Sequence, residues 1–123
     1  MTKPKQFSFH SRLKSFQYAF EGFRHFFASE HNAWIHAGAS IVIILFSFYM
    51  SISSMEWLAI IFAIALVWIT EMLNTAIEKT MDHLSPEAHP RVKLIKDVAA
   101  AAVLTAAVTA CIVALIIFIP KFI

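Results

Sequence analysis

The sequence predicts an all-α membrane protein, in which an amphipathic surface helix precedes three transmembrane helices. Hydrophobic residues make up 59% of the 123 residues and mean hydropathy is +0.71, which is too apolar for a small soluble domain. Apolar runs of about 20 residues cross a hydrocarbon core about 30 Å thick. Such runs cover about 33–52, 57–77 and 98–119. A chain this short predicts one membrane-embedded domain over residues 1–123.

The segment before the first run, about 9–29, has the pattern of a helix that lies in the membrane interface. Its apolar residues recur at spacings of three and four, and its charged residues take mostly other positions. The apolar positions are Leu13, Phe16, Phe20, Phe23 and Phe27. We therefore predict a surface helix over about 9–29.

The positive charges predict the orientation of the chain. Of the ten lysines and arginines, five precede the first span and four lie in or beside the connection between the second and third spans. The turn between the first two spans, residues 53–55, has none. Because lysine and arginine collect on the cytoplasmic side, the N-terminus is predicted to be cytoplasmic and the C-terminus outside. The second connection includes a predicted loop at 85–90, where two prolines interrupt helical structure.

The second apolar run continues into a stripe of acidic residues. At about 100° per residue, Glu71, Thr75, Glu78 and Asp82 share one narrow helical sector, and Asn74 lies beside them. Ionisable residues in a membrane segment are functional candidates by default. Close carboxylates repel one another unless cations or protons intervene, which favours a site for a divalent cation or a proton. The structural alternative is a polar seam that joins helices.

Charged residues from other segments are predicted at the same membrane surface. Glu30 precedes the first span, and with Glu78 it would provide the two carboxylates that commonly bind Mg²⁺ beside substrate phosphates. Lys96 and Asp97 are predicted to open the last helix, where Lys96 would contact a phosphate. The alternative is ordinary charge at a helix end. Glu78 lies about 10 Å beyond Glu71 along the helix, towards water.

Missing motifs restrict the chemistry. The sequence has no GxxxxGK[ST] motif, so any phosphoryl transfer depends on carboxylate-held metal and a few cationic side chains. The six histidines include no HExxH pattern, and a histidine metal site is not predicted. A small transporter or proton-relay subunit that uses the acids without phosphoryl transfer is the alternative function. The clustering of acids at one membrane face argues against a conduction path.

These residues carry a resemblance to a known family. The main motif is Glu71-x-Leu73-Asn74-Thr75-Ala76-Ile77-Glu78-x3-Asp82, followed by Pro86-Glu87-x-His89 and Lys96-Asp97-x-Ala99-Ala100. Nearer the N-terminus are Ser15-Phe16-x-Tyr18-Ala19-x-Glu21-Gly22 and Glu30-x-Asn32-x2-Ile35-His36. The chain resembles the small prokaryotic integral-membrane diacylglycerol kinases, including the Gram-positive branch that acts on undecaprenol. Asn32 and His36 follow that branch better than the enterobacterial enzymes.

The resemblance implies a lipid kinase in the bacterial cytoplasmic (inner) membrane. It implies ATP as co-substrate, Mg²⁺ as cofactor, undecaprenol or diacylglycerol as lipid substrate, and no nucleic-acid partner. It also implies a homotrimeric bundle with active sites shared between protomers. Two departures stand out: the run 99–102 lacks the glycine of many relatives, and Ser11 stands where some relatives have arginine.

The resemblance further implies residue roles. Glu71 would be the general base that takes the proton of the lipid hydroxyl, Asn74 would orient Glu71 or a phosphate, and Glu30 and Glu78 would hold the metal. The implied nucleotide contacts are Tyr18, Glu30, Glu78, Glu87, His89, Lys96 and Asp97. The implied lipid contacts are Ser11, Ser15, Glu71 and Ala100.

Overall fold

The computed structural model describes residues 7–123, which form four α-helices in chain order. They are α1 (Phe9–Ser29), α2 (His31–Tyr49), α3 (Ser54–Leu84) and α4 (Pro90–Phe122). The helices α2, α3 and α4 are each long and apolar enough to cross a membrane. The prediction of an all-α membrane protein with a preceding helix is confirmed for these residues, and the predicted limits of α1 coincide with the observed ones.

The junction between α1 and α2 is held by aromatic residues. Glu30 separates the two helices and has an extended backbone conformation. The indole Nε1 of Trp34 reaches back across this junction and donates to the carbonyl of Phe27 at 2.9 Å. Phe26 is buried and packs edge-on against Trp68 of α3, with ring centroids 6.1 Å apart. The end of α1 is therefore fixed against both α2 and α3.

A short turn connects α2 to α3. The first apolar run was predicted to extend to about residue 52, but α2 ends at Tyr49 because the turn begins there, with Ser51 in the left-handed region at φ 51°. Ser53 then caps α3: its hydroxyl accepts from the Glu56 amide, and the Glu56 carboxylate accepts from the Ser53 amide. This capping box satisfies two amides that the helix start leaves unpaired, so α3 begins at Ser54.

Helices α3 and α4 form an antiparallel pair that carries most of the packing. They contain 31 and 33 residues and are therefore about 46 and 50 Å long, which exceeds a hydrocarbon core of about 30 Å. The prediction that Lys96 and Asp97 open the last helix is wrong. Helix α4 begins at Pro90, because proline is favourable at the first helical position and His89 caps the helix.

Ion pairs join α3 to α4 near both ends of the pair. Glu56 and Lys121 lie 3.2 Å apart at what we call the Glu56 end, where Ile52, Ile60, Ile117 and Phe118 form a buried apolar cluster. Asp82 pairs with Lys96 at the opposite end, which contains the acidic stripe and is called the Glu71 end. The two pairs are about 39 Å apart along α3. They tie the helices together at both ends of the apolar segment.

Most of the apolar surface of the spans faces outwards. In the most apolar stretch of α2, α3 and α4, only 11%, 22% and 17% of residues are buried within the chain. The remaining surface needs lipid or another protein to cover it, because apolar side chains are unfavourable in water.

Candidate functional site

Glu71 is a buried carboxylate paired with a histidine. Its relative exposure is 7%, and its Oε1 lies 2.8 Å from Nε2 of His36 on α2. Thr75 lies one helical turn after Glu71 and is also buried, so both side chains are on the same inward face of α3. A buried carboxylate is costly without a hydrogen-bond partner. His36 provides that partner for Oε1.

A second contact lies one turn away and fixes α2 against α3. The Ser40 hydroxyl donates to the main-chain carbonyl of His36 at 2.6 Å and accepts from Nε1 of Trp68 at 3.0 Å. Trp68 precedes Glu71 by three residues, so the two side chains are neighbours on α3. The pair Glu71–His36 therefore sits beside a hydrogen-bonded contact between the same two helices.

Asn74 and Glu78 form the next part of the site. The Asn74 amide nitrogen donates to Oε1 of Glu78 at 3.3 Å. The Asn74 amide oxygen is buried and has no hydrogen-bond partner among residues 7–123. An unsatisfied buried polar atom is rare in folded proteins, and an ion, a ligand or a water can satisfy it. The Asn74 oxygen is therefore free to accept a hydrogen bond or to ligate an ion.

The acidic stripe changes from buried to exposed along α3. Glu71 is buried, Glu78 is partly buried and Asp82 is exposed. These three acids extend over about 16 Å. The carboxylates thus form a row from the packed interior to the accessible end of the helix pair.

Three of the predicted nucleotide contacts line one crevice at the start of α4. His89, Lys96 and Asp97 surround a volume of about 560 Å³. Each has a partner: Lys96 pairs with Asp82, Asp97 pairs with Lys93, and Nδ1 of His89 accepts from the Arg91 amide. The crevice therefore has both positive and negative groups, and Nε2 of His89 is not used in the cap.

The other four predicted nucleotide contacts are outside that crevice lining: Tyr18, Glu30, Glu78 and Glu87. Glu87 lies exposed in the connection between α3 and α4, where its carbonyl accepts from the Ser85 hydroxyl at 3.2 Å. Tyr18 is 62% exposed on α1. Within one chain, Tyr18 and Glu87 therefore do not line the crevice that His89, Lys96 and Asp97 line.

The predicted lipid contacts on α1 and α4 are exposed. The hydroxyls of Ser11 and Ser15 donate to main-chain carbonyls of Ser8 and Ser11 at 2.9 and 3.0 Å, and Ala100 is exposed on α4. A different crevice, of about 460 Å³, separates α1 from α3 and includes Thr75 in its lining. Its α3 lining begins at Met72, directly after Glu71.

The predicted metal ligands have oxygen donors of the right type. Residues 7–123 hold no group of three or more His, Cys, Asp or Glu side chains arranged for a metal. Two protein carboxylates with substrate phosphates do not require such a group. The Glu78 carboxylate accepts from the Asn74 amide nitrogen, and the Asn74 oxygen is unpartnered among residues 7–123; oxygen ligands of both kinds suit Mg²⁺. Glu30 is partly buried between α1 and α2.

Sequence reasoning missed His36, Ser40, Trp68 and Phe26 as parts of this site. His36 was available as a signal, because an ionisable residue inside an apolar span is a functional candidate by itself. Its partner lies 35 residues away in sequence, so the pairing depends on how α2 packs against α3.

Comparison with known proteins agrees with the resemblance. Residues 17–118 match the family model described as prokaryotic diacylglycerol kinase. An undecaprenol kinase of Bacillus subtilis (strain 168) is 40% identical over 109 residues, which cover 89% of each chain. Diacylglycerol kinases of Synechocystis and Helicobacter pylori are 35% and 32% identical, over 82% and 80% of this chain and 58% and 77% of theirs.

These matches extend through the described site, from α1 to the apolar part of α4. The matched relatives are named kinases, which favours the kinase interpretation over a transporter. The chain belongs to the prokaryotic diacylglycerol kinase family and is a lipid kinase.

Proposed function

We propose that the chain transfers the γ-phosphoryl group of ATP, with Mg²⁺, to the hydroxyl of undecaprenol. The observation that carries this proposal is the buried Glu71, paired with His36 and followed on the same helix face by Glu78. The two acids are about 10 Å apart along the helix. At this spacing, Glu71 would act on a lipid hydroxyl while Glu78 holds a metal bound to the ATP phosphates.

In the proposed reaction Glu71 is the general base. One carboxylate oxygen takes the hydroxyl proton of the lipid while the hydroxyl oxygen bonds to the γ-phosphorus. The bond from that phosphorus to the β–γ bridging oxygen breaks, and ADP leaves. The buried position of Glu71 supports this role, because a low-polarity site excludes the water that would otherwise compete for the phosphoryl group.

Glu78 and Glu30 would hold the metal, with Asn74 beside them. Bound Mg²⁺ would neutralise negative charge on the ATP phosphates. The unpartnered Asn74 oxygen supports an oxygen-liganded ion or an ordered water near Glu78. Asn74 also lies within one turn of Glu71, so it would orient either a phosphate or the base.

The nucleotide would occupy the crevice at the start of α4. Lys96 would contact a phosphate, which would weaken its ion pair with Asp82. His89 and Asp97 would contact the rest of the nucleotide. Tyr18 and Glu87 would complete these contacts. Neither Tyr18 nor Glu87 lines the crevice of its own chain, which is consistent with a nucleotide site that includes these residues from another protomer.

We also propose a homotrimer in the bacterial cytoplasmic membrane, with the N-terminus and the Glu71 end in the cytoplasm. The small proportion of buried residues in the spans supports further helix contacts. The small residues 99–102 would let another helix approach closely. The lysines and arginines before α2 and at the Glu71 end of α3 and α4 support the orientation.

The choice of undecaprenol over diacylglycerol is supported by the 40% identical relative, which is named undecaprenol kinase. Ser11, Ser15 and Ala100 would contact the lipid.

The deciding experiment gives the purified protein labelled ATP and Mg²⁺ in mixed micelles that contain undecaprenol or diacylglycerol. We expect faster transfer to undecaprenol. Preference for diacylglycerol would contradict the substrate assignment, and transfer to neither lipid by folded protein would contradict the proposed activity.

A further inference from the structure

We propose that His36 is a positioning residue that fixes the direction of the Glu71 carboxylate for catalysis. This inference deepens the proposed function and rests on it. Nε2 of His36 lies 2.8 Å from Oε1 of Glu71. A general base is ionised before it takes a proton, and an ionised carboxylate only accepts hydrogen bonds, so in the proposed role of Glu71 the His36 ring presents Nε2–H to it. With Oε1 occupied, Oε2 is the oxygen left for the lipid hydroxyl.

The surroundings of His36 restrict its movement. The Ser40 hydroxyl bonds to the His36 carbonyl and also accepts from Trp68, which precedes Glu71 by three residues on α3. Two polar contacts, Trp68–Ser40 and Glu71–His36, therefore join the same helices next to each other. The imidazole is three-quarters covered, with 24% of its side-chain surface exposed.

Such a constraint matters because a general base must lie within hydrogen-bond reach of the proton that it takes. A carboxylate with one oxygen held cannot rotate freely about its last bond. A misplacement of about 1 Å at a reacting centre costs roughly 10²-fold in rate. The histidine would act through Glu71 and does not itself need to touch the substrate.

A purely structural role predicts different behaviour. If His36 only joins α2 to α3, replacing it lowers stability in proportion to the packing lost, whether or not the new side chain donates a hydrogen bond. The Trp68–Ser40 contact and the packing of Phe26 and Phe27 on Trp68 also hold this region together. The helix contact therefore has supports other than His36.

The test compares His36→Gln with His36→Leu in the full-length protein. Both side chains resemble histidine in size, but only glutamine has an N–H that reaches the carboxylate. Using labelled ATP, Mg²⁺ and undecaprenol micelles, we expect His36→Leu to lose about 10²-fold in kcat and His36→Gln to lose clearly less. The KM for ATP should be unchanged in both. Thermal unfolding and elution volume in detergent report whether each variant is folded.

His83→Ala is the matched control, because His83 is an exposed histidine in the last turn of α3. It should keep wild-type kcat. If His36→Leu does not fold, His36→Met, which also lacks a donor, takes its place.

The outcomes separate the two proposals. Transfer by the wild type with equal kcat in the glutamine and leucine variants would overturn the role of His36 alone. A parallel loss of kcat and thermal stability in both variants would overturn it too. No transfer by the folded wild type to either undecaprenol or diacylglycerol would overturn the proposed function.

Discussion

The two ends of the α3–α4 pair use the same residue types in different ways. At the Glu56 end, the carboxylate accepts from the Ser53 amide at 2.9 Å and from Lys121 at 3.2 Å. At the Glu71 end, the buried carboxylate has His36 as its partner, and the neighbouring Asn74 keeps a buried oxygen without one among residues 7–123.

The two ends differ in whether their polar side chains are satisfied within the described part of the chain. The acid at the Glu56 end completes a helix cap beside a packed apolar cluster, so its interactions are satisfied within the chain. Asn74 at the Glu71 end is not satisfied in this way. Unsatisfied buried groups are rare and call for an explanation such as a ligand, an ion or an ordered water. This contrast supports the proposed placement of the chemistry at the Glu71 end and of helix anchoring at the other.

The largest expected effect is on kcat, when one acid at each end is replaced by glutamine in separate variants. Glu71→Gln should lower kcat by about 10²- to 10⁴-fold, the usual contribution of a general base, because the amide cannot take the hydroxyl proton. Glu56→Gln should keep wild-type turnover and lower only thermal stability. The measurement is phosphate transfer to undecaprenol, with detergent elution profiles as the folding control. Normal turnover in Glu71→Gln would break the comparison.

Glu78→Gln should mainly weaken the response to magnesium. Loss of a proposed metal ligand should raise the Mg²⁺ concentration needed for half-maximal activity by at least the 10- to 100-fold typical of outer-shell changes. The KM for the lipid should change little. Titration of Mg²⁺ at fixed ATP measures this effect, and an unchanged requirement would refute the ligand role.

Much of this contrast was predictable, since the acidic stripe lies on one helix. Fixed periodicity places Glu71, Thr75, Glu78 and Asp82 on one face without knowledge of other helices. The start of α4 was missed because proline was treated only as a helix breaker, whereas Pro90 occupies the favourable first position. The partner of Glu71 was missed because it comes from α2, whose register against α3 is set by tertiary packing.

The two interhelical lysines provide a matched pair with a smaller effect. Lys96→Met and Lys121→Met each remove one partly exposed ion pair, which should change stability by no more than about 1 kcal/mol. Only Lys96→Met should raise the KM for ATP, by roughly tenfold, because a hydrogen bond to a charged group contributes about 1.5 kcal/mol at the low end of its range, and Lys96 gives up part of its pair with Asp82 to make it. Equal KM values in the two variants would remove Lys96 from the nucleotide site.

The smallest effect is expected at the cap of α3. Ser53→Ala removes the hydroxyl that accepts from the Glu56 amide, which should cost about 1 kcal/mol of stability without changing kcat. Ser54→Ala, at the next position and outside the capping box, is the control. Thermal unfolding in detergent measures the difference. A loss of kcat in folded Ser53→Ala would show that the two ends are not separable.

We propose that the Glu71 end performs phosphoryl transfer to a lipid. The most direct test incubates the purified wild type with γ-labelled ATP, Mg²⁺ and undecaprenol, and counts both ADP and labelled lipid. We expect one labelled lipid for each ADP formed. ADP without labelled lipid, or neither product from folded protein, would contradict it.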